Sequence, residues 1–374
     1  MPIAIVGGGI TGLYAAYYLE KEGEAPTLFE PGSPGARSAH AAGIIEPTGA
    51  YRTNTVAFLR RVFRLWRTGA CRFRRVDPNW LIESARVLER PPMEAQDDTL
   101  IRMGRESLRT YESLHGETDD FGFQKRGLLE TFDDPLSFAE EREEAESRTR
   151  VTPVEVREHA GSAGGLYFPE AAWVDTDRFV ARMLRELRRT SVVRARVQRV
   201  ALDGTVSTSE RSERFDAVVI TSGVAARTLG VPLTGVRGYG WHLRTPRRID
   251  VATLAVDRGI ALVPLADSLK ATGGWDFDLG TTWSGAASVL QGIRQLVPVE
   301  SIVDFSEGSR PCTPDGLPTV GRREQTVTAN GGFRLGWSFA PALGRAAAEL
   351  AVGKSSNDPF LARFCGSMRS GSLG

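Results

Sequence analysis

Gly7-Gly8-Gly9-Ile10-Thr11-Gly12 stands between an apolar run, Ile3 to Val6, and a segment carrying Leu13, Ala16, Tyr17 and Leu19 at helical spacing. A second apolar segment, Ala25 to Phe29, ends in Glu30, eighteen positions after Gly12. The order strand, tight turn, helix, strand, acid suits a dinucleotide. Gly7 allows the turn, Gly9 lets the backbone approach a pyrophosphate, Gly12 lets helix and strand pack closely, and Glu30 accepts ribose hydroxyls. The motif alone does not separate FAD from NAD.

The loop after Glu30, Pro31 to Gly43, is rich in small residues, so its backbone can lie against a flat ligand. His40 stands in it, where it could tune a substrate amine or simply be satisfied by solvent or core. Trp275, in Gly273-Gly274-Trp275, is a candidate pocket wall or an ordinary core side chain. His115, His159 and His242 share no metal-ligand spacing. Cys71, Cys312 and Cys365 are far apart, odd in number and without CxxC spacing. Neither a disulfide framework nor a zinc site is expected, and the compartment reads as reducing.

Positioning these groups takes more than one small module, and 374 residues suggest two domains or one large α/β unit. A net charge of +1 with 41% hydrophobic residues excludes a disordered chain and a strongly basic nucleic-acid binder. No basic segment precedes the first apolar run, and no stretch of about 18 apolar residues occurs, so a soluble cytoplasmic protein is expected.

Helices are expected over Leu100 to Leu114, Asp177 to Arg189, Ser288 to Leu296 and from about Ala342 to Val352. Strands are expected at Leu166 to Phe168, Val192 to Val200, Gly240 to Arg244 and Ile260 to Pro264. Phe215 to Ile220, followed by Gly223, returns the chain to a nucleotide-binding sheet. Residues 51 to 80 hold eight Arg and one acid, Asp77, interleaved with Phe58, Leu59, Val62, Phe63, Leu65 and Trp66. The expectation for Arg52 to Arg75 is a substrate-domain surface whose Arg stems cover apolar side chains, and not a membrane anchor. Residues 133 to 146 carry seven acids and one Arg, which reads as a solvated helix face.

Three blocks, GGGITG, RPCTPDGLPTVGR and GGFRLGWSFAPALGR, together resemble the D-amino-acid oxidase superfamily of FAD enzymes, in its glycine oxidase and D-amino-acid dehydrogenase branches. The resemblance spans most of the chain. It implies an α/β protein: a Rossmann-like FAD-binding domain (1–48, 145–235 and 305–374) interleaved with an α+β, mixed-sheet substrate domain (49–144 and 236–304). By the resemblance, Arg310 sits where glycine oxidase-like enzymes bind the substrate carboxylate, and Arg334 takes the place of their second pocket arginine. Trp337 follows the dehydrogenase pattern instead. The carboxylate-binding tyrosine of glycine oxidase would fall near Ala261, so that contact is absent. The linking cysteine of the covalent-flavin branch would fall at Gly308, which implies noncovalent FAD; Cys312 reads as a small buried residue.

Cofactor contacts are expected from Gly7, Gly9, Ile10, Thr11, Gly12 and Glu30, from Arg37, Ser38, Ala42 and Gly43 in the loop, and from Val197 and Gly223. Gly332, Arg334, Leu335, Gly336 and Trp337 complete the set, with the helix near Ala342 aimed at the flavin's N1 and C2 oxygen. Arg310, Arg334, Trp275 and His40 are the candidate catalytic residues. The implied reaction is FAD-dependent oxidation of the amine of a small amino acid or N-substituted glycine-like compound. A hydride leaves the α-carbon, the imine hydrolyses, and oxygen or a quinone-type acceptor reoxidises the flavin. The alternatives are a noncatalytic FAD-holding subunit, a membrane-associated quinone-linked D-amino-acid dehydrogenase, and a flavin monooxygenase, which the RPCTPDG block disfavours. Oligomeric state is left open.

Overall fold

A computed structural model describes residues 1–48, 55–88, 96–147, 154–156, 161–279 and 284–354. Arg52, His159 and Cys365 lie outside these residues, as does the end of the chain from 355.

Ile3–Val6 is buried at every position and pairs in parallel with Thr27–Phe29 on one side and Ala217–Ile220 on the other. Unbroken apolar strands of this kind need cover on both faces. Ser191–Val193 and Thr326–Asn330 extend the sheet in parallel, and Thr319–Arg323 closes it as an antiparallel edge, giving six strands. One face is covered by Ile10–Lys21, Thr176–Glu186 and Gly336–Ala351, whose Leu13, Tyr14, Phe179, Phe339 and Leu343 share one core. The turn into the first helix requires its glycines. Gly7 has φ +107°, and a Cβ on Gly12 would lie 2.0 Å from the Gly7 carbonyl oxygen.

A nine-stranded mixed sheet runs in the order Ser301–Cys312, Thr234–Arg244, Leu269–Phe277, Ile260–Pro264, Ala252–Ala255, Leu128–Phe132, Gly164–Phe168 and Val154–Val156, with Cys71–Phe73 paired to Leu269–Phe277. Tyr239, Trp241, Ile260 and Leu262 pack one face against Val289 and Ile293 of the helix Ala286–Leu296. Register places a row across the other face: Ser306, Gly240, Thr272, Ala261, Leu254, Glu130 and Leu166. A parallel row, two residues along, holds Asp304, His242, Lys270 and Val263. This face meets the loop after Glu30. A Cβ on Gly240 would lie 3.0 Å from the His40 carbonyl oxygen, and Ala42 and Ile44 pack against the cluster of Leu128 and Leu166.

Several expectations change. The last helix starts at Gly336, not near Ala342, and runs through Pro341. Proline offers no N–H to the carbonyl four residues back. Tyr111 Oη donates to that carbonyl, on Trp337, at 2.9 Å, so the helix continues. Val192 to Val200 is not one strand. Ser191–Val193 ends in a turn, with Ala195 N–H donating to the Val193 carbonyl, and Arg199–Val200 joins a separate small sheet. Gly164–Phe168 and Val154–Val156, expected on the cofactor side, pair in the nine-stranded sheet.

The basic segment and the acidic run do not face water separately. Arg61 pairs with Glu141 at 2.6 Å and Arg64 with Glu140 at 2.7 Å, tying the helix Val56–Arg67 to Pro135–Ser147. Nor do Arg stems cover all the apolar surface, since Phe63 and Trp66 are 55% and 52% exposed. Among the described residues no helix is long and apolar enough to cross a membrane.

Candidate active site and cofactor cradle

The first turn builds a cradle from backbone. Gly7 N–H donates to the Phe29 carbonyl, and the Glu30 carboxylate accepts from Gly8 N–H at 2.9 Å and Gly32 N–H at 3.1 Å. Glu30 thus holds the loop that would present it to a ribose. Ile10 and Thr11 open the helix with no side-chain cap from Gly9; Ile10 N–H reaches Ser38 Oγ at 2.9 Å. Beside Gly7, Ser222 Oγ is buried without a hydrogen-bond partner among the described residues, and Gly223 follows at φ +58° with none of their atoms within 4 Å of where a side chain would start. The helix from Gly336 likewise starts without a side-chain cap, and nothing lies within 4 Å of a Cβ placed on Gly336. Two helix N-termini whose N-cap residues offer no side chain, an orphaned hydroxyl and glycine-lined backbone fit the pyrophosphate and ring edge of a flavin dinucleotide.

Other expected cofactor contacts have mixed positions. Arg37 is exposed. Gly43 is buried against the Val174 carbonyl, and Val197 packs with Ala4, Val6 and Phe29 on the sheet face away from the three helices. Leu335 packs against the helical core. Trp337 lies in that core beside Tyr111 and Phe179, its Nε1 donating to the Ser38 carbonyl at 3.1 Å, because the earlier helix start turns it inward. It braces the loop.

Arg310, Trp275 and Arg334 connect through one aromatic contact. Arg310 Nη1 donates to the Gly274 carbonyl at 2.8 Å, and its guanidinium carbon is 6.0 Å from the Trp275 ring centroid. Trp275 meets Phe333 edge-on at 5.5 Å. Phe333 has φ +41°, a strained backbone for an aromatic residue, and Arg334 follows it directly. Among the described residues no carboxylate pairs with Arg310. Desolvation lowers its pKa to about 10, against the field of Asp276. Asp276 is engaged elsewhere, by Arg72 at 3.1 Å and Tyr239 Oη at 2.6 Å. A desolvated guanidinium without a counter-ion is suited to a carboxylate from outside the protein.

His40 is half-buried, and burial followed by the Lys270 ammonium holds it below the ordinary imidazole value, against Asp177 and Asp304. Lys270, 1% exposed, donates to the Ala39 carbonyl and to Thr176 Oγ1, each at 2.5 Å. It ties the loop to the nine-stranded sheet. Cys312 is buried, with its thiol pushed up by burial, and Cys71 is pushed up to about 12 for the same reason. Neither is reactive in that state.

No sequence motif marks two buried carboxylates on the sheet side of the loop. Glu46, 6% exposed, accepts from the Thr48 N–H and hydroxyl, and its own N–H donates to Ser338 Oγ at 2.9 Å. Glu130 is 7% exposed, and among the described residues its Oε2 has no hydrogen-bond partner. Burial, followed by the charge of Glu141, raises its pKa to about 7, with Glu46 adding to the rise and Arg61 and Arg334 opposing it.

Residues 2–350 match the family DAO, described as FAD dependent oxidoreductase. The chain belongs to this family. It is 36% identical to D-proline dehydrogenase of Pyrobaculum islandicum over 365 residues, covering 97% of this chain and 99% of that protein. It is 26% identical to D-amino acid dehydrogenase of Paramagnetospirillum magneticum, covering 95% and 96%. Among solved structures, glycine oxidase from Geobacillus kaustophilus superposes with a TM-score of 0.73 at 20% identity, covering 96% and 97%. The chain is an FAD-dependent oxidoreductase with the α/β fold expected, and FAD is its cofactor.

With Gly308 where a covalent link would stand and Cys312 buried, acid precipitation of the purified protein should release intact FAD into the supernatant. Yellow colour retained in the pellet would contradict this.

Proposed function

We propose that this chain oxidises a small D-amino acid, D-proline or a close relative, at its α-carbon. The observation that carries the reading is Arg310, a desolvated guanidinium with no carboxylate partner among the described residues, beside Trp275 and Phe333. Arg310 binds the substrate carboxylate, with Arg334 as the second cation, and this orients the α-hydrogen. FAD, held at Gly7 to Gly12, Glu30 and the Gly336 helix start, supplies a two-electron acceptor for the hydride. The named activity of the 36% identical relative supports D-proline over glycine. Residues 1–48, 191–220 and 319–354 carry the cofactor side, and 234–312, which include Arg310, the substrate side.

The test is anaerobic bleaching of the flavin by D-proline, L-proline, glycine, sarcosine and pyrrolidine. D-proline should bleach fastest, and pyrrolidine, which lacks the carboxylate, at least tenfold more slowly. Preferential bleaching by L-proline would overturn the enantiomer. No bleaching by any compound would favour an FAD-holding subunit. Reoxidation by air against a soluble quinone then identifies the acceptor class.

A further inference from the structure

Glu130 is the one ionisable side chain in the row Ser306, Gly240, Thr272, Ala261, Leu254, Glu130 and Leu166, on the sheet face that meets the flavin-side loop. It is 7% exposed, and Oε2 is buried without a hydrogen-bond partner among the described residues. A structural glutamate buried this far would normally be paired or fully hydrogen-bonded. The nearby charges come from four elements. Arg61 and Glu141 neutralise each other at 2.6 Å; Glu46 follows the loop, and Arg334 precedes the last helix. The Arg334 charge reaches Glu130 and opposes the rise in its pKa, so a cation and a carboxyl act on one region, which suits an amino acid that carries both a carboxylate and an ammonium.

We propose that Glu130 receives the substrate's amine, its Oε2 pairing with the protonated nitrogen and taking one proton before the α-hydrogen leaves. This rests on the reading that the substrate is an amino acid. The N–H bond breaks, its proton forms an O–H bond to Oε2, and the electron pair stays on nitrogen. When the Cα–H bond breaks, hydride carries two electrons to FAD while the nitrogen lone pair forms the C=N bond of an iminium ion. An acidity raised toward neutrality matches a base working near pH 7.

The experiment compares wild-type, Glu130→Gln and Glu130→Asp holoenzymes of equal flavin content. With D-proline, kcat/KM of the Gln variant should fall about 10²-fold and lose the acid limb that wild type shows below pH about 7. Asp should restore the limb and part of the rate. A second readout needs no turnover. Pyrrolidine binding, followed as a perturbation of flavin absorbance, should weaken at least tenfold in the Gln variant, while tetrahydro-2-furoate, with oxygen in place of the ring nitrogen, keeps its affinity. Equal pH profiles and equal pyrrolidine affinities in wild type and Gln variant would overturn the assignment, as would no pyrrolidine binding by wild type. If pyrrolidine binds through Glu130 but no amino acid bleaches wild type, the D-amino-acid reading fails and the amine site stands.

Discussion

The Arg310→Ala holoenzyme should reduce its flavin with D-proline about thirtyfold to several thousandfold less efficiently than wild type, because removing the guanidinium leaves the substrate carboxylate unpaired at about 2–5 kcal/mol. The large range follows from the surroundings. Arg310 is desolvated, held by one carbonyl on Gly274 and packed so closely on Gly238 that a Cβ there would lie 2.5 Å from a guanidinium nitrogen. Water cannot readily replace its charge in such a place. Pyrrolidine should be almost indifferent to the change, so the variant loses most of its preference for the carboxylated compound while retaining FAD. Arg334→Ala should cost less, since Arg334 also faces the acidic neighbourhood of Glu130. Unchanged discrimination between D-proline and pyrrolidine, with normal flavin content, would mean that another group reads the carboxylate.

The cofactor half of this arrangement was legible in the sequence because its signals are local. The turn at Gly7, the close approach at Gly12 and the acid at Glu30 lie within thirty residues, and each reflects a constraint on one strand, turn or helix. The carboxylate-binding role proposed for Arg310 and Arg334 starts from the resemblance in their blocks. Long-range compensation was not legible. Pro341 reads as a helix boundary, yet a tyrosine 226 positions before Trp337 satisfies the carbonyl that it leaves bare. The Arg-rich segment and the acidic run looked like two solvated faces because nothing in either shows that Arg61 meets Glu141 across 80 positions.

Glu130 was hidden for the same reason. In LLETF it is an ordinary acid in a short strand, and its meaning comes from register with Leu254, which brings it into line with Ala261 and Thr272. By the resemblance, Ala261 stands where glycine oxidase-like enzymes would offer a tyrosine, and the buried carboxyl of Glu130 lies two strands away on the same sheet face.

Replacing Glu130 by leucine should make the holoenzyme more stable than wild type above pH 7, and the advantage should shrink to nothing near pH 4.5. Glu130 has its pKa raised from 4.5 to about 7 by burial and by Glu141. Between those values the folded chain keeps a proton that the unfolded chain has lost, so wild-type stability falls as pH rises through the window and is flat above it. The loss is on the order of 3 kcal/mol for one fully buried carboxyl. A leucine side chain at this position would have no proton to lose and would sit beside Leu254 and Leu166. The check is the melting temperature of wild-type and Glu130→Leu holoenzymes at pH 5, 6, 7 and 8, with flavin content matched. A gap that does not change with pH, or a variant less stable at pH 8, would show that Glu130 contributes to the fold as an ordinary structural residue. A gap that opens with pH, alongside lost turnover, is the pattern of a carboxyl kept in an unfavourable place for the reaction, because a residue held only for packing would lose stability when replaced.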